Sequence, residues 1–386
     1  MATMSIGAIL LLLALIVSTP NWEAAKIEFK AEWNRKTSRI YIIASFILAL
    51  ACALSLLSAK FFPLSYSGHP TNVHFWSDFA KVWYLFWPIL LVIGLRRLNL
   101  NAQLVILRSW LVTFSLLAVI GIIQYFTGWP RPQVIPAQPG FYHSTLFLGH
   151  HLSTASILIF PFFAVLDSAV HQRTRRNTFL LALIALLGLI TLLFTYSRTL
   201  WLALPIGICI WALTTLPKKI RWLSTTALIV GSLAASRLPI VQGRFFDGIG
   251  FHPRVDLWKT NLEFFLQRPL FGVGWRHNVE LSGYYLMEKY HAQDVFSGHA
   301  HNNFLDILGG TGLVGALSWL FWNGCIFWIL LKNKKRFDSG KGLTFVLATG
   351  MLCAFLVFQL NGLTQVNFWE AKVQHQLAWV IALVLL

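Results

Sequence analysis

The chain has 386 residues, of which 56% are hydrophobic and only 12% are charged. Soluble domains carry about 25% charged residues, so this composition excludes an ordinary water-soluble domain and favours a polytopic α-helical membrane protein. The formal net charge of +17 does not indicate nucleic-acid binding, because Lys and Arg occur as short blocks between apolar runs. Such blocks are typical of cytoplasmic loops, so we expect a lipid bilayer and no nucleic acid as partner.

Apolar runs of membrane-spanning length recur along the chain and predict about eleven transmembrane helices. Their approximate positions are 3–19, 40–58, 80–95, 103–125, 151–168, 178–195, 199–216, 222–236, 303–331, 343–360 and 369–386. The first run lacks a basic n-region and a clear cleavage site, which indicates a retained span rather than a signal peptide. Placing the basic blocks in the cytoplasm puts the N-terminus outside and the C-terminus inside.

Two connections on the outer side are long, at 126–151 and 237–302. Long ordered loops between spans are usually functional. The second loop contains "VDLWKTNLEFFL" (255–266), whose apolar spacing predicts a helix. The chain is therefore divided into N-terminal transmembrane helices (1–236), a large outer loop that is partly helical (237–302) and C-terminal transmembrane helices (303–386).

Three arginines on the outer side are candidate anion ligands. Arg198 lies where two hydrophobic runs meet, at a depth where an arginine either snorkels to the interface or faces a cavity. Arg254 and Arg276 lie in the large loop, where each is either a solvated surface residue or a bidentate ligand of phosphate oxygens. Tyr196 and Trp275 stand beside two of them, either as ordinary interface aromatics or as residues that contact sugar or lipid.

The stretch "HAHNNFLDILGGTGLVG" (299–315) joins a polar cluster to an apolar, glycine-spaced helix. An imidazole titrates near neutrality, so His299 or His301 could accept a proton from a hydroxyl group. Two alternatives remain for the pair: a structural role at a helix entrance, or metal binding. The further ligands available for a metal are His150, His151, Asp294 and Asp306.

Residues on both sides of this junction predict local structure. Asn302 and Asn303 are good N-cap residues, so a helix should begin there. The glycines that follow place small residues along one flank of the helix, which favours close packing against a neighbouring segment. These glycines are Gly309, Gly310, Gly312 and Gly315.

The spacing of "HN" at 301–302, nine residues, and "GLVG" at 312–315 resembles the H-[NSQ]-x9-G-x-x-G signature of the O-antigen ligase and polymerase superfamily. The segment "YSRTLWLA" (196–203) is similar to the arginine-bearing outer helix junction of that family. The segment 254–278, with its "PLFGVG" run, is similar to part of the family's large periplasmic loop. The resemblance covers about residues 190–330, and the first half of the chain agrees only in topology.

The resemblance implies a GT-C-like fold of about twelve spans in the bacterial inner membrane, with the active site facing the periplasm. It implies an inverting, metal-independent glycosyltransferase without a cofactor, which moves a glycan from undecaprenyl diphosphate to lipid A-core. In that scheme Arg198, Arg254 and Arg276 bind the diphosphate and neutralise the leaving group. His301 is the general base, and His299 is its orienting or secondary partner.

Three other functions remain as alternatives. An O-antigen polymerase would join lipid-linked repeat units, and a protein O-oligosaccharyltransferase would transfer the glycan to Ser or Thr. A lipid or glycan transporter would need ionisable residues within its spans, for which Arg108 is the main candidate.

Overall fold

The computed structural model describes residues 22–136, 138–172, 174–246, 252–290, 298–337 and 348–386. The described α-helices in chain order are α1 (Trp22–Asn34), α2 (Lys36–Phe61), α3 (Phe75–Phe79), α4 (Trp87–Arg97), α5 (Leu100–Thr127), α6 (His151–Val170), α7 (Arg175–Phe194), α8 (Arg198–Thr215), α9 (Lys218–Ala235), α10 (Pro239–Phe246), α11 (His252–Gln267), α12 (Asn278–Tyr290), α13 (Asn303–Phe337), α14 (Ala348–Asn361) and α15 (Ala371–Leu385). A 3₁₀ helix, Ala80–Leu85, follows α3.

Two small antiparallel hairpins interrupt the helices. The first pairs β1 (Ser65–Tyr66) with β2 (His69–Pro70), and the second pairs β3 (Val134–Ile135) with β4 (Gln138–Tyr142). The structure is otherwise helical and carries several apolar helices of spanning length. The predicted class, an all-α polytopic membrane protein, is confirmed.

Six of the described helices are long and apolar enough to cross a membrane. They are α2, α5, α6, α7, α8 and residues 303–332 of α13. A bent pair, Phe75–Leu85 with Trp87–Arg97, makes a seventh if its two arms count as one span. The predicted first span, 3–19, lies outside the described residues, as do residues 343–347 of the tenth.

The predicted count of eleven is not reached within the described part, for identifiable reasons. Helix α9, which contains the predicted span 222–236, carries three basic residues in its 18, at Lys218, Lys219 and Arg221. Helix α15 has 15 residues, which cover about 22 Å against a hydrocarbon core of about 30 Å.

By packing, the chain forms two compact units, and each consists of separated stretches of sequence. The first unit contains Met1–Gly94, Ile249–Ile329 and Gly362–Leu385. The second contains Leu95–Gly248, Leu330–Asn361 and Leu386. The three segments predicted from the sequence, 1–236, 237–302 and 303–386, are divided by order along the chain and not by packing. That division stays a prediction.

The second unit is a helix bundle around α6. Helix α6 packs against α7 and α14, and α14 packs in turn against α8. The most apolar window of α6 is 83% buried, whereas those of α5 and α7 are 22% buried. Large apolar side chains such as Leu116, Phe179 and Leu186 are exposed on these outer helices. In a spanning bundle such faces contact lipid.

In the first unit, the large outer loop has a hydrophobic core of its own. Tyr66 of β1 is buried there with Leu257 and Phe264 of α11 and Leu281 and Tyr285 of α12. Burial raises the pKa of Tyr66 to about 12, so its hydroxyl stays protonated near neutral pH. Helix α11 covers the predicted helix at 255–266, so the partly helical loop is confirmed.

Candidate functional site

The two histidines of the predicted cluster lie directly before α13. His301 has a left-handed backbone, with φ of 47°, and its N–H donates to Nδ1 of His299 at 3.4 Å. The two rings meet edge to face with centroids 4.3 Å apart. The Asn302 side chain accepts a hydrogen bond from the N–H of Leu305 at 3.0 Å, so it caps α13 as the sequence predicts. The histidines therefore occupy a fixed turn at the entrance of a helix.

A buried carboxylate, Asp306, anchors that turn from within α13. Its Oδ1 accepts hydrogen bonds from the N–H of Ala300 and from Nδ2 of Asn278, each at 3.0 Å. It also interacts electrostatically with His299 and Arg276. From the sequence, Asp306 was a candidate only as a metal ligand. Its signal was an acidic residue in the first turn of an apolar span, which usually has a specific partner.

The loop after α14, residues 362–369, is bound to the start of α13. The Asn303 N–H donates to the carbonyl of Gly362 at 2.8 Å. Its side-chain oxygen accepts from the N–H groups of Asn367 and Phe368, at 3.0 and 3.3 Å. The Asn302 amide donates to the carbonyl of Leu363 at 2.8 Å. The sequence did not indicate a role for this 362–369 loop, because nothing local in it reports a partner some 60 residues away.

The glycine-rich part of α13 contains a break at Gly312, where φ is 65° and ψ is −165°. In a continuous helix the N–H groups of residues 313 and 314 would donate to the carbonyls of 309 and 310. The outer-loop segment 269–274 occupies that gap instead. Its carbonyls at Pro269 and Leu270 accept from Leu313 and Val314, at 2.8 and 3.2 Å, and its N–H groups at Val273 and Gly274 donate to Gly309 and Gly310, at 3.1 and 3.0 Å.

Glycine is required at this contact because two backbones touch. A Cβ on Gly312 would lie 2.5 Å from the carbonyl carbon of Leu270, and one on Gly272 would lie 2.5 Å from that of Gly310. The close packing predicted for the glycines is therefore present: Gly312 meets the "PLFGVG" run, and Gly309 meets Asn261 of helix α11. The "PLFGVG" run and the glycines of the 301–315 signature therefore meet. This contact holds Trp275 and Arg276 beside α13.

Trp275 and Arg276 directly follow the segment that fills the break. Trp275 is buried, with its ring centroid 5.0 Å from that of Trp369. Arg276 is exposed, has a φ of 68°, and places its guanidinium carbon 6.0 Å from the Trp275 ring centroid. The structure thus brings His299, His301, Trp275 and Arg276 together near Asp306, within the first unit.

Arg254 belongs to the same unit, in the first turn of α11, and is half-buried. It precedes Asn261 by seven residues, which is two turns and about 10 Å of helix, so both residues lie on one face. Asn261 accepts a hydrogen bond from Nδ2 of Asn278 at 2.8 Å, and Asn278 also donates to Asp306. Arg254 therefore lies on the helix face that meets the polar network.

Tyr196 and Arg198 belong to the second unit. Tyr196 is buried, has a φ of 55°, and donates its hydroxyl hydrogen bond to Gln138 of β4. Arg198 is the first residue of α8 and is half-buried. The carbonyl of Thr195, just before Tyr196, meets Nδ1 of His143 at 3.3 Å and Nδ1 of His151 at 2.7 Å. The predicted convergence of Arg198 with Arg254 and Arg276 stays a prediction.

An apolar groove of about 960 Å³ lies beside Arg198 in the second unit. Helix α8 contributes Trp201, Leu204 and Ile208 to its wall, which begins one turn after Arg198. Arg237, just beyond the end of α9, also lines the groove. The end of α9 and the start of α8 lie at the same end of this groove. Arg198 and Arg237 are therefore both near that end.

Several of the predicted site residues have a left-handed backbone, which is uncommon for residues other than glycine. Within the described residues five positions have it: Ser67, Leu146, Tyr196, Arg276 and His301. Three of these are site residues predicted from the sequence. Such conformations cost about 1–3 kcal/mol and cluster at functional sites, because the surrounding structure must hold them in place.

The residues considered for a metal site fall in different parts of the chain. His299 and His301 belong to the first unit, and His150 and His151 to the second. Asp294 lies outside the described residues. In the part of the chain that the structure describes, no group of three or more His, Cys, Asp or Glu side chains could hold a metal ion.

Comparison with known families gives a match. Residues 181–320, a little over a third of the chain, match the family described as O-antigen ligase. A comparison with curated proteins gives no match. The matched segment contains every predicted site residue, from Tyr196 to His301, and both halves of the glycine contact. Through this segment the chain is similar to the O-antigen ligase family.

Proposed function

We propose that the protein is an O-antigen ligase that transfers a glycan from undecaprenyl diphosphate to lipid A-core at the periplasmic face of the inner membrane. The observation that carries the proposal is the cluster of His299, His301 and Arg276 around Asp306, at the start of α13. It places a proton acceptor near a fixed cation in the segment that matches the family. A glycosyl transfer to a hydroxyl needs both groups.

The reaction is a single displacement. The acceptor oxygen forms a bond to the anomeric carbon of the donor while the bond from that carbon to the diphosphate oxygen breaks. The acceptor proton passes to the imidazole of His301, and undecaprenyl diphosphate leaves with the electron pair. Attack opposite the leaving group inverts the anomeric centre. His299 orients the turn, because its Nδ1 accepts the N–H of His301.

The arginines supply the charge that the leaving group requires. A guanidinium holds two phosphate oxygens with a planar pair of N–H donors and remains protonated at any physiological pH. Arg276 is exposed and fixed by its backbone and by the Trp275 ring. With Arg254, of the same unit, it would neutralise the diphosphate without a divalent ion.

The groove in the second unit supports a lipid-linked donor. Its walls are apolar side chains of α7, α8, α9 and α10, and Arg198 and Arg237 lie near one end. A polyprenyl chain in this groove would leave its diphosphate beside these arginines. A nucleotide sugar has no apolar chain that would use such a groove.

A gene-deletion strain tests the function through its lipopolysaccharide. We expect loss of all long chains from the lipid A-core and accumulation of polymerised, lipid-linked glycan. A core that carries one repeat unit would instead identify a polymerase. A reconstituted assay with purified protein separates transfer from transport, because a transporter changes only which leaflet holds the donor.

A further inference from the structure

Gln365, in the 362–369 loop, is buried without a hydrogen-bond partner. Its side chain is 2% exposed, and neither Oε1 nor Nε2 has a partner within the described residues. An unsatisfied buried amide is unfavourable, because it has lost its hydrogen bonds to water and gained none from the protein. A ligand that satisfies both atoms would remove this penalty on binding.

The loop holds Gln365 next to the histidine turn. Two residues before it, the carbonyl of Leu363 accepts from the Asn302 amide at 2.8 Å. Two residues after it, the N–H of Asn367 donates to the Asn303 side chain at 3.0 Å. Two residues of chain span at most about 7 Å, so both attachments keep Gln365 close to the residues that follow His301.

Two further polar atoms without hydrogen-bond partners among the described residues lie on rings that pack against Trp369, the last residue of the same loop. Within the described residues the Tyr84 hydroxyl and the Trp275 indole nitrogen are buried and have no hydrogen-bond partner. Both rings pack against Trp369, with centroids 6.1 and 5.0 Å from its ring. An amide beside aromatic rings is typical of sites that bind sugars, because the rings cover the apolar face of a pyranose.

We propose that Gln365 binds neighbouring hydroxyl groups of the acceptor sugar and so positions the attacking oxygen near His301. The proposal rests on the proposed transferase function. The chemistry of the free amide selects this ligand: Oε1 only accepts and Nε2 only donates, so a ligand that satisfies both must itself donate and accept. A pair of sugar hydroxyls does so, whereas an ionised diphosphate only accepts and a polyprenyl chain does neither.

The test uses purified protein in nanodiscs, with rough lipopolysaccharide, which carries lipid A-core without O-antigen, as acceptor. Gln365→Leu keeps the size of the side chain and removes both polar atoms. Gln374→Leu, at a glutamine of α15 that is 3% exposed, is the matched control. The KM for rough lipopolysaccharide is measured at saturating donor. Its Kd is measured without donor, and the thermal midpoint of each variant is recorded.

For Gln365→Leu we expect the KM and Kd for rough lipopolysaccharide to rise about tenfold, the effect of losing two neutral hydrogen bonds. The KM for the donor and the thermal midpoint should not fall, because removing an unsatisfied buried amide does not weaken the fold. Gln374→Leu should leave both acceptor constants unchanged. Gln365→Asn, whose amide is one methylene short, should lie between wild type and Gln365→Leu.

Two outcomes distinguish a failure of the Gln365 proposal from a failure of the proposed transferase function. If wild type transfers glycan and Gln365→Leu keeps the wild-type KM and Kd for the acceptor, the role of Gln365 is wrong and the transferase function stands. If wild type binds rough lipopolysaccharide and this depends on Gln365, but no glycan is transferred from any polyprenyl diphosphate donor, the site stands and the transferase function is wrong.

Discussion

At His301 the main chain and the side chain have separate roles. The left-handed backbone, with φ of 47°, turns the chain sharply at the entrance of α13, and the imidazole is held next to that of His299. A residue that bears a bulky side chain adopts this conformation only when its surroundings enforce it. Asp306 and Asn302 provide that enforcement from the first turn of the helix.

His301→Ala should abolish glycan transfer, because the acceptor hydroxyl loses its proton acceptor; general-base catalysis contributes about 10²–10⁴-fold to rate. Membrane insertion and thermal stability should stay near wild type. The measurement is single-turnover transfer from a polyprenyl diphosphate donor. His171→Ala, at the end of α6, is the control and should retain activity. Near-normal transfer by His301→Ala would contradict the general-base role.

Arg276→Lys should raise the KM for the donor almost as much as Arg276→Ala, because an ammonium group cannot form the two parallel hydrogen bonds of a guanidinium. Arg198→Lys should behave alike if both arginines bind the diphosphate. Arg176→Lys, in the first turn of α7, is the matched control. Steady-state kinetics with varied donor measure the effect, and full activity in Arg276→Lys would argue against bidentate binding.

The sequence names the candidate site residues but not the contacts that hold them in place. The histidines and arginines stand in a recognisable motif, so they could be named in advance. Asp306 could be named but not assigned a role, because its partners, Ala300 and Asn278, become neighbours only after folding. Gln365 carries no local signal at all, since its position depends on hydrogen bonds to Asn302 and Asn303.

Among the elements, α13 departs most from what its sequence predicts. An apolar run of 30 residues indicates an uninterrupted span, and its glycines indicate a helical neighbour. Gly309 does meet Asn261 of helix α11, but the span is interrupted: the helix breaks at Gly312, and segment 269–274 completes its hydrogen bonds. Broken helices occur in membranes only where protein satisfies the freed backbone groups.

Gly312→Ala should destabilise the protein, since its φ of 65° is unfavourable for alanine and the new methyl group would lie 2.5 Å from the Leu270 backbone. Forced overlap in a packed region costs about 1–3 kcal/mol. Gly324→Ala, in the same helix, is the control: a Cβ there meets nothing within 4 Å, and alanine favours a helix by about 1 kcal/mol. Thermal unfolding in detergent compares them, and equal midpoints would argue against the backbone contact.

At the scale of the whole molecule, the class was predictable and the arrangement was not. Composition alone favours a polytopic helical membrane protein, because its 12% of charged residues is about half of what soluble domains carry on average. The number of spans was less certain, because basic residues shorten the apolar part of α9 and α15 is only 15 residues long. The division into two units, which share both halves of the chain, depends on long-range packing that periodicity does not report.

Glycan transfer by the protein should survive EDTA. The proposed mechanism neutralises the diphosphate with guanidinium groups, so removing divalent ions takes nothing from the transition state. The measurement compares glycan transfer with and without EDTA. Magnesium is added to both samples once the reaction has stopped, so that the lipopolysaccharide products are analysed under the same conditions. Loss of activity that returns with added metal during the reaction would revive metal binding by the histidines.

The break in α13 also bears on how the chain is made. Translation produces residues 269–274 before residues 303–337, so the turn segment that completes the helix is made first. When α13 is inserted into the membrane, the segment that supplies partners for its four freed main-chain groups has already been synthesised. A circular permutant that begins near residue 300 would reverse this order. Its broken span would enter the membrane before the segment that completes its hydrogen bonds had been made.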